Sequence, residues 1–456
     1  MNLTTEGQIE GTPAIMLIDT GATTTLLTRF GTDKRALRRN PIVRAFAGVG
    51  GLSRVFRVPI NHFQIGPIRS EQMGSLLEID EMGSRPDFDA IVGSDFLLTM
   101  DIEISLAEKK IKYFSPQNCE DTFLGYWNPN AVVVPMEFSG NSRRPMIEVA
   151  INGVKMNALI DTGSYVSTIA VSAAARAGVD LSSPGVKQSG RVAGVGQKQI
   201  RLHEATFKTF AVGDETIQNA ALQISDDLIN ADFDIILGTD FLRSHRVLFA
   251  VSQKNVYLSY NGGPPFNKGA ANSWVEKEAE TGNGYAQFKL GVAGLNSNDN
   301  ASRIAGKTWM DKAVANKNLP ALHFMALQLG QDGRYVDSVA LFEQVFELDS
   351  YDITAQLEMF VMRTKAGQLE QAKRGLTQGM AQFKWAPWPA PITDYYLGKI
   401  ELDDLLREAN SESDLANRRR CDVYHHAGAL QDALGQAAQV KVLSDKATAE
   451  CGANLI

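Results

Sequence analysis

The tripeptide Asp-Thr-Gly occurs twice in this chain of 456 residues, at residues 19–21 and 161–163, and each copy directly follows a short apolar run. Two further landmarks recur in the same order: Gly-Val-Gly at residues 48–50 and 194–196, and Phe-Asp-Xaa-Ile-Xaa-Gly ending at Gly93 and Gly238. The three offsets are 161 − 19 = 142, 194 − 48 = 146 and 238 − 93 = 145 residues. A nearly constant offset over three landmarks indicates tandem duplication of one folding unit. The chain is therefore expected to hold two carboxylates at equivalent points of two similar units.

Alternation of apolar and polar residues predicts a β-rich fold within each copy. Residues 147–151 alternate, Asn152-Gly153 is a strong hairpin signal, and the return strand leads directly into Asp161. A closing strand is predicted late in each copy, at residues 110–114 and 255–259. The candidate carboxylate and the hairpin therefore belong to one structural piece.

Changes in composition divide the chain into segments. A turn-rich, aromatic stretch from Cys119 separates the two copies, and a Gly-Pro cluster at residues 261–265 ends the β-rich region. Beyond this cluster the sequence becomes helical and rich in alanine. The predicted segments are residues 1–118 (first unit), 119–131 (linker), 132–262 (second unit), 263–275 (linker) and 276–456 (helical region).

The helical region contains a weaker repeat of its own. Gly333 and Gly367 each precede a helical pattern, and their spacing of 367 − 333 = 34 residues is the period of the tetratricopeptide (TPR) family. The residues after each glycine resemble the turn and second helix of that family, and residues 286–313 resemble the related Sel1-type repeat. This resemblance implies a stack of α-helical pairs that recruits a protein substrate or partner.

Composition and spacing argue against several classes of function. The net charge of −7 argues against a nucleic-acid partner, because phosphates favour clustered Lys and Arg. The one basic run, residues 418–420, is expected to be a solvated surface. No segment is long and apolar enough to span a bilayer. The histidines, including His425-His426, show no metal-ligand spacing, and no stretch ends as a phosphate-binding loop does, so neither metal nor cofactor is expected.

The compartment is indicated only indirectly. Cys421 and Cys451 flank a helical hairpin pattern and are expected to pair in an oxidising compartment, but three reduced thiols, including Cys119, fit the sequence equally well. The second unit is preceded by a strand-like run at residues 132–138 that the first unit lacks. We therefore expect the natural protein to have an upstream strand and a secretion signal. A bacterial periplasmic or secreted protein is favoured, with a cytoplasmic location left open.

Two equivalent carboxylates suit one kind of hydrolysis. Cleaving an amide without a metal or covalent intermediate needs a base for water and an acid for the leaving group, and two adjacent carboxyls that share one proton supply both. The order Asp-Thr-Gly, Gly-Val-Gly, apolar-apolar-Gly resembles the retropepsin-like aspartic proteases, with two units fused over residues 1 to about 260. Pepsin-like enzymes, which are also fused, have a Tyr in one flap, whereas both flaps here lack it.

The resemblance implies a role for each matching residue. Asp19 and Asp161 would be the catalytic dyad. The residues that would support it, with the threonines bonded across the symmetry axis, are Thr20, Gly21, Ala22, Thr162, Gly163 and Ser164. The flaps that would close over an extended peptide are Gly48, Val49, Gly50, Gly51, Gly194, Val195 and Gly196. Val92-Gly93 and Leu237-Gly238 would pack beneath the catalytic loops.

Two further expectations concern residues beside this motif. Ser164 replaces Ala22, and a hydroxyl donated to Asp161 would make Asp161 the ionised partner and Asp19 the protonated one. After Gly93 and Gly238, short helices are predicted with Ser94 and Thr239 as N-caps. Asp95 and Asp240 then follow as first-turn helix charges rather than site residues.

The sequence favours an aspartic endopeptidase acting on protein or peptide substrates, as a monomer in which the two units pair within one chain. The alternative is a catalytically silent peptide-binding or scaffold protein that uses the protease fold and the helical region for interaction. The presence of both aspartates favours the enzyme. Pairing of units between two chains also stays open.

Overall fold

The structure, a computed structural model, describes residues 3–35, 37–79, 88–140, 142–192, 194–196, 199–225, 232–266, 268–349, 352–381, 388–411 and 416–451. The chain divides into a unit of Met1–Gly31 and Ile42–Trp274 and a unit of Thr32–Pro41 and Val275–Ile456. The first of these is called the β unit and the second the helical unit. Within the β unit, the first repeat lies before residue 119 and the second repeat is residues 132–262.

The first repeat consists almost entirely of strands joined by tight turns. Its elements in chain order are β1 Thr4–Ile9, β2 Thr12–Ile18, β3 Leu26–Thr28, α1 Arg29–Lys34, β4 Asn40–Gly48, β5 Gly51–Ile60, β6 Phe63–Ile65, β7 Ile68–Ser70, β8 Gly74–Ile79, β9 Ala90–Val92, α2 Ser94–Leu97, β10 Asp101–Ser105 and β11 Lys110–Phe114. The predicted closing strand at residues 110–114 is confirmed as β11.

The second repeat follows the same plan. Its elements are β12 Val132–Pro135, β13 Glu137–Phe138, β14 Pro145–Ile151, β15 Val154–Ile160, β16 Thr168–Ala170, α3 Val171–Arg176, β17 Lys187–Val192, β18 Ile200–Val212, β19 Glu215–Ser225, β20 Ile235–Leu237, α4 Thr239–Leu242, β21 His245–Ala250 and β22 Asn255–Tyr260. The predicted hairpin is confirmed, because Asn152 and Gly153 turn between β14 and β15 with φ of 51° and 80°. The closing strand is confirmed as β22.

Strand order confirms that the two repeats share one topology. Among the described residues, the first repeat forms a sheet in the order β4-β5-β8-β3-β9-β2-β1-β6-β7, and the second one in the order β13-β14-β15-β20-β16-β19-β18-β17. The run β5-β8-β3-β9-β2-β1 matches β18-β19-β16-β20-β15-β14. In both runs the strand before the Asp-Thr-Gly loop pairs in parallel with a late strand, β2 with β9 and β15 with β20.

A third sheet joins the repeats, in the order β11-β10-β21-β22-β12. Its central pairing is between β10 and β21, one strand from each repeat. Glu103 on β10 is buried and accepts hydrogen bonds from Arg246 Nε and Nη2 on β21, at 3.1 and 2.8 Å. Tyr126, in the predicted linker, donates its hydroxyl to the same carboxylate at 2.7 Å. The linker therefore helps to hold the two repeats together.

The helical region is confirmed as helical, while its assignment to the TPR or Sel1 family stays a prediction. Its elements are α5 Lys268–Glu280, α6 Gly284–Leu295, α7 Asn300–Ala315, α8 Leu319–Gln331, α9 Tyr335–Leu348, α10 Ile353–Lys365, α11 Leu369–Met380, α12 Ala390–Tyr396, α13 Leu402–Ala409, α14 Ala416–Ala433 and α15 Ala437–Cys451. Gly333 and Gly367 end the turns before α9 and α11, each with φ of 76°, a conformation that favours glycine. No helix among the described residues is long and apolar enough to cross a membrane.

Three features of the helical unit concern predictions made from the sequence. A disulfide joins Cys421 to Cys451 and so links α14 to α15. Arg419 is buried and its guanidinium lies 5.2 Å from the centre of the Trp388 ring, so the expectation that the basic run is entirely solvated is wrong for this residue. Residues 32–41, predicted within the first unit, belong to the helical unit, where Lys34 forms an ion pair with Asp349.

Candidate active site

The two catalytic-type loops begin where β2 and β15 end. The Asp19 N–H donates to the carbonyl of Val92 at 3.0 Å, and the Asp161 N–H donates to the carbonyl of Leu237 at 2.9 Å. Each acceptor is the last residue of the neighbouring parallel strand, β9 or β20. The hydrogen bond to that residue therefore fixes where each aspartate leaves the sheet. Both Val92-Gly93 and Leu237-Gly238 therefore lie beside the loops, as the sequence predicted.

Each aspartate is oriented by the backbone of its own loop. Asp19 Oδ1 accepts from the N–H groups of Gly21 and Ala22 at 3.0 and 2.9 Å. Asp161 Oδ1 accepts from Gly163 and Ser164 at 2.8 and 3.1 Å. One oxygen of each carboxyl is thus held by two N–H donors. The other oxygen, Oδ2, is not part of these bonds.

The two threonines bond across the pseudo-twofold axis. Thr20 Oγ1 donates to the carbonyl of Ile160 at 2.7 Å and accepts from the Thr162 N–H at 3.1 Å. In the reciprocal direction, Thr162 Oγ1 donates to Ile18 at 2.7 Å and accepts from the Thr20 N–H at 3.0 Å. Both side chains are buried. Four buried hydrogen bonds therefore fix the position of each loop relative to the other.

The glycines of the tripeptides allow the two carboxyls to meet. A Cβ atom added at Gly21 would lie 2.4 Å from Cγ of Asp161, and one added at Gly163 would lie 2.4 Å from Cγ of Asp19. Each aspartate thus packs against the glycine of the other loop. The structure brings Asp19 and Asp161 together within one chain.

The two carboxyls differ in acidity. Burial raises the pKa of Asp19, and the adjacent charge of Asp161 and the hydrogen bond to it raise this pKa further, to well above the usual value. Burial also raises the pKa of Asp161, but the hydrogen bond from Asp19, the N–H groups of Gly163 and Ser164 and the charge of Arg144 all oppose that rise. These directions favour Asp19 over Asp161 as the holder of the shared proton.

The expected cause of this asymmetry was wrong. The Ser164 hydroxyl donates to the carbonyl of Val166 at 2.9 Å and not to Asp161. Arg144, which the sequence did not indicate, has a positive charge that lowers the pKa of Asp161, and this is the smallest of the causes named above. Its guanidinium donates to Ser139 Oγ at 2.8 Å and lies 5.6 Å from the centre of the Phe233 ring. No motif marks Arg144, so only the folded chain identifies it.

Asp95 and Asp240 lie in the first turns of α2 and α4, as predicted, and each also accepts a hydrogen bond that the sequence did not indicate. Asp95 Oδ1 accepts from the Thr25 hydroxyl at 2.8 Å, and Asp240 Oδ1 accepts from the Ser167 hydroxyl at 2.6 Å. Asp240 is buried, and burial raises its pKa. Each hydroxyl in turn accepts the N–H of the following strand's glycine, Gly93 or Gly238. Each pair therefore ties the segment after an Asp-Thr-Gly tripeptide to the end of the neighbouring strand, β9 or β20. The pairs recur in the sequence, Thr25 and Ser167 at an offset of 142 residues and Asp95 and Asp240 at an offset of 145.

The predicted N-caps of the short helices were wrong as well. Helices α2 and α4 exist, but Gly93 and Gly238 occupy the cap positions and no side chain caps them. The Ser94 hydroxyl donates instead to the carbonyl of Ala22 at 2.9 Å. The hydroxyl therefore stabilises the loop that holds Asp19 rather than the helix end.

The two glycine-rich hairpins meet at their tips. The Gly50 N–H donates to the carbonyl of Val195 at 2.7 Å. A Cβ at Gly48 would lie 2.4 Å from Cβ of Val195, and a Cβ at Gly196 would lie 2.3 Å from the carbonyl carbon of Gly50. Gly51 and Gly196 have φ of 102° and 105°, which favours glycine. Val49 is 50% exposed and Gly194 lies beside it.

Within the described part of the chain, no group of three or more His, Cys, Asp or Glu side chains could hold a metal ion.

Each repeat contains a segment that matches a known family model. Residues 5–98 match a family model described as "gag-polyprotein putative aspartyl protease", and residues 147–241 match a model described as aspartyl protease. The first match contains Asp19 and the second contains Asp161. No curated protein matches the chain. A crystal structure of the aspartic proteinase from Irpex lacteus is similar over 57% of this chain and 96% of that one, with 12% identity and a TM-score of 0.40. Two segments of the chain, one in each repeat, are thus similar to aspartyl-protease family models.

Proposed function

We propose that this protein is a retropepsin-like aspartic endopeptidase that hydrolyses peptide bonds in protein substrates, with water activated between Asp19 and Asp161. The observation that supports this most strongly is the reciprocal packing of two aspartates whose pKa values differ because their surroundings differ. One carboxyl is a proton donor and the other a proton acceptor at the same pH. Two matches to aspartyl-protease family models agree with this chemistry.

In the proposed reaction, the ionised Asp161 takes a proton from water while Asp19 gives its proton to the carbonyl oxygen of the scissile amide. The water oxygen bonds to the carbonyl carbon and a tetrahedral diol forms. When the diol collapses, the C–N bond breaks, Asp161 passes its proton to the leaving nitrogen, and Asp19 recovers a proton from a diol hydroxyl. Protons balance over the cycle, and each carboxyl acts once as acid and once as base.

The proposed substrate is an extended peptide that lies between the catalytic loops and the two glycine-rich hairpins. Such a peptide offers backbone N–H and C=O groups for pairing, as an added strand does. The tips are joined to each other by the Gly50–Val195 hydrogen bond, so entry of a peptide requires that this bond open. The hairpins would then act as flaps.

The helical unit is proposed to recruit the protein substrate or a partner through TPR- or Sel1-like helical pairs. The 34-residue spacing of Gly333 and Gly367 and their shared φ of 76° support this assignment. Ile304 on α7 and Val336 on α9 are each 63% exposed and are candidate contact residues. Ile304→Ser and Val336→Ser should lower kcat/KM for a folded protein substrate and leave kcat/KM for a short peptide unchanged. An equal effect on both substrates would contradict recruitment.

An oxidising compartment, periplasmic or extracellular, is proposed from the Cys421–Cys451 disulfide, because such bonds persist mainly outside reducing cytosol. Mass spectrometry after thiol alkylation of protein taken directly from its native cells would measure this pairing. A monomer is proposed because Asp19 and Asp161 meet within one chain. Sedimentation velocity at several concentrations would distinguish a monomer from a pair of chains.

The decisive test compares the intact chain with Asp19→Asn in a diverse peptide library between acidic and neutral pH. We expect cleavage by the intact chain and none above background by the variant. Asp214→Asn, which changes an exposed aspartate, is the matched control and should cleave as the wild type does. Equal cleavage by wild type and Asp19→Asn would disprove the dyad. Peptide binding without cleavage by either would favour the scaffold protein.

A further inference from the structure

Four residues of the first repeat form a row across adjacent strands and face the catalytic loop. The register aligns Leu17 with Ile91, Ile91 with Leu26, and Leu26 with Leu77. Paired residues in a sheet point to the same face, and residues two apart on a strand do so too. Leu17 precedes Asp19 by two positions, so the row continues the face on which that aspartate lies. This row is called the first wall.

The first wall is apolar and is covered by the flap of the other repeat. Its residues pack in one cluster with Ala22, which directly follows the tripeptide, with Phe46 of the first flap, and with Val195 at the tip of the second flap. A cluster that includes both a catalytic-loop residue and a flap tip lies where an extended peptide would pass between them. The wall is thus shielded by a residue that must move when the flaps open.

The corresponding row of the second repeat is half polar. The register aligns Leu159 with Ile236, Ile236 with Thr168, and Thr168 with Gln223. This second wall therefore has Thr168 and Gln223 where the first wall has Leu26 and Leu77. Thr168 is 7% exposed and Gln223 is 3% exposed, so both polar groups lie within the fold rather than at its surface.

The next row is mixed in both repeats, with one polar and one apolar residue in each, so the difference between the walls is confined to the row described above. Ile79 pairs with Thr28 in the first repeat, and Ser225 pairs with Ala170 at the equivalent register in the second. Both Ile79 and Ser225 are buried.

A side chain of the second wall is hydrogen-bonded to the flap of the same repeat. Gln223 Oε1 accepts from the hydroxyl of Ser189, on the flap strand β17, at 2.5 Å. In the first repeat the flap side chains beside the wall, Ile42 and Phe46, are apolar.

The catalytic loops differ in the same direction. Ala22 and Thr23 of the first loop correspond to Ser164 and Tyr165 of the second. Tyr165 is 44% exposed, so its ring and hydroxyl are accessible beside the second loop. An aromatic ring with a hydroxyl is thus available on the polar side only.

We propose that the two walls select different side chains of one peptide: an apolar residue over the first wall, on one side of the scissile bond, and a hydrogen-bonding residue such as Ser, Thr, Asn or Gln over the second, on the other side. This inference rests on the proposed endopeptidase function. A peptide that crosses a pseudo-twofold axis presents its two ends to opposite repeats. Because the walls differ, a given peptide should bind in one chain direction across the two repeats.

The selection by each wall has a physical reason. Binding over an apolar wall gains free energy only from burying apolar surface, and a polar substrate group there has no hydrogen-bond partner. A wall with a hydroxyl and an amide loses hydrogen bonds when an apolar group covers it. Discrimination by apolar contacts is about 10- to 200-fold per position, and discrimination by unpaired buried polar groups can be larger.

The experiment exchanges the walls. Leu26→Thr with Leu77→Gln makes the first wall like the second, and Thr168→Leu with Gln223→Leu makes the second like the first. The full-length chain, each double variant and Asp19→Asn are incubated with a randomised peptide library, and cleavage sites are read by mass spectrometry. In parallel, peptides retained by immobilised Asp19→Asn are sequenced, with and without each wall exchange, so that wall preference is measured without turnover.

The wild type should prefer an apolar residue on one side of the cleaved bond and a polar residue on the other. Thr168→Leu with Gln223→Leu should convert the polar preference to an apolar one, a change of roughly 10- to 100-fold in the ratio of kcat/KM for matched peptides. The first-wall exchange should have the opposite effect, and circular dichroism and thermal melting confirm that each variant is folded.

Equal preferences on both sides in the wild type, or an unchanged profile after the second-wall exchange, would overturn this inference while leaving the protease proposal intact. If the wild type cleaves no more than Asp19→Asn, the protease proposal fails instead. The retained peptides then decide the inference alone: one apolar and one polar position support it, and two alike positions refute it.

Discussion

The loops around Asp19 and Asp161 have the same hydrogen bonds but different surroundings. In each loop, two N–H groups hold one carboxyl oxygen, a threonine bonds across the axis, and a glycine admits the opposite carboxyl. Arg144 lies near Asp161, whereas the equivalent position in the first repeat, 144 − 142 = 2, is the uncharged Asn2, which lies outside the described residues. Backbone symmetry therefore brings the carboxyls together, and the charge of Arg144 is one cause of the difference between their pKa values.

The largest expected effect tests whether the loops are equivalent. Gly21→Ala and Gly163→Ala should each lower kcat/KM by about 100-fold or more, because the new methyl group would displace the opposite carboxyl. The two losses should agree within a factor of about three. Gly428→Ala is the control, since its Cβ would meet Leu443 at an ordinary contact of 3.7 Å. A loss in only one of the two loop variants would show that the loops are not equivalent.

The next effect concerns the bonds that join the loops. Thr20→Val and Thr162→Val should each lower the free energy of unfolding of the β unit by about 2–4 kcal/mol, because each removes a buried donor and acceptor and leaves their partners unpaired. Chemical denaturation measures this change. The double variant should lose less than the sum, since both substitutions loosen the same contact between the two loops. Additive losses would contradict coupling between the two threonines. Thr99→Val is the control, because it removes an exposed hydroxyl.

A smaller effect comes from the raised pKa of Asp19. A carboxyl whose pKa is higher in the folded chain than in the unfolded one contributes stability below the unfolded pKa, and this contribution is lost as pH rises through the folded pKa. Asp19→Asn removes that dependence. The variant should therefore melt roughly 2–6 °C above the wild type at pH 7 and close to it at pH 3. Equal differences at both pH values, measured by calorimetry, would contradict the raised pKa.

The smallest effect distinguishes Arg144 from Ser164 as the cause of the difference between the pKa values of Asp19 and Asp161. Arg144→Met removes a charge that lowers the pKa of Asp161, so the acidic limb of kcat/KM should move to higher pH, by less than about one unit. Ser164→Ala should leave that limb unmoved, because the hydroxyl donates to Val166. A shift with Ser164→Ala and none with Arg144→Met would restore the explanation that the structure overturned.

Much of the β unit was predictable because its signals are local or repeated. The hairpin at Asn152-Gly153 depends on backbone conformations that few residue types adopt, and the strand into Asp161 shows its alternation directly. The equivalence of the aspartates followed from constant offsets. The hydrogen-bond partners of Asp95 and Asp240 were not predicted. Thr25 and Ser167 are about 70 residues away from them, and no local pattern links the two members of each pair.

The sequence by itself determined that two similar β units exist, that each contains one aspartate after an apolar strand, and that a helical region follows. These properties depend on short-range patterns and on repetition, which a linear sequence records. Only the tertiary structure decided which aspartate holds the shared proton more readily, that the Ser164 hydroxyl is turned away from Asp161, and that one wall is apolar and the other half polar. Those properties depend on burial, on the charge of Arg144 and on strand register, which join residues far apart in the chain.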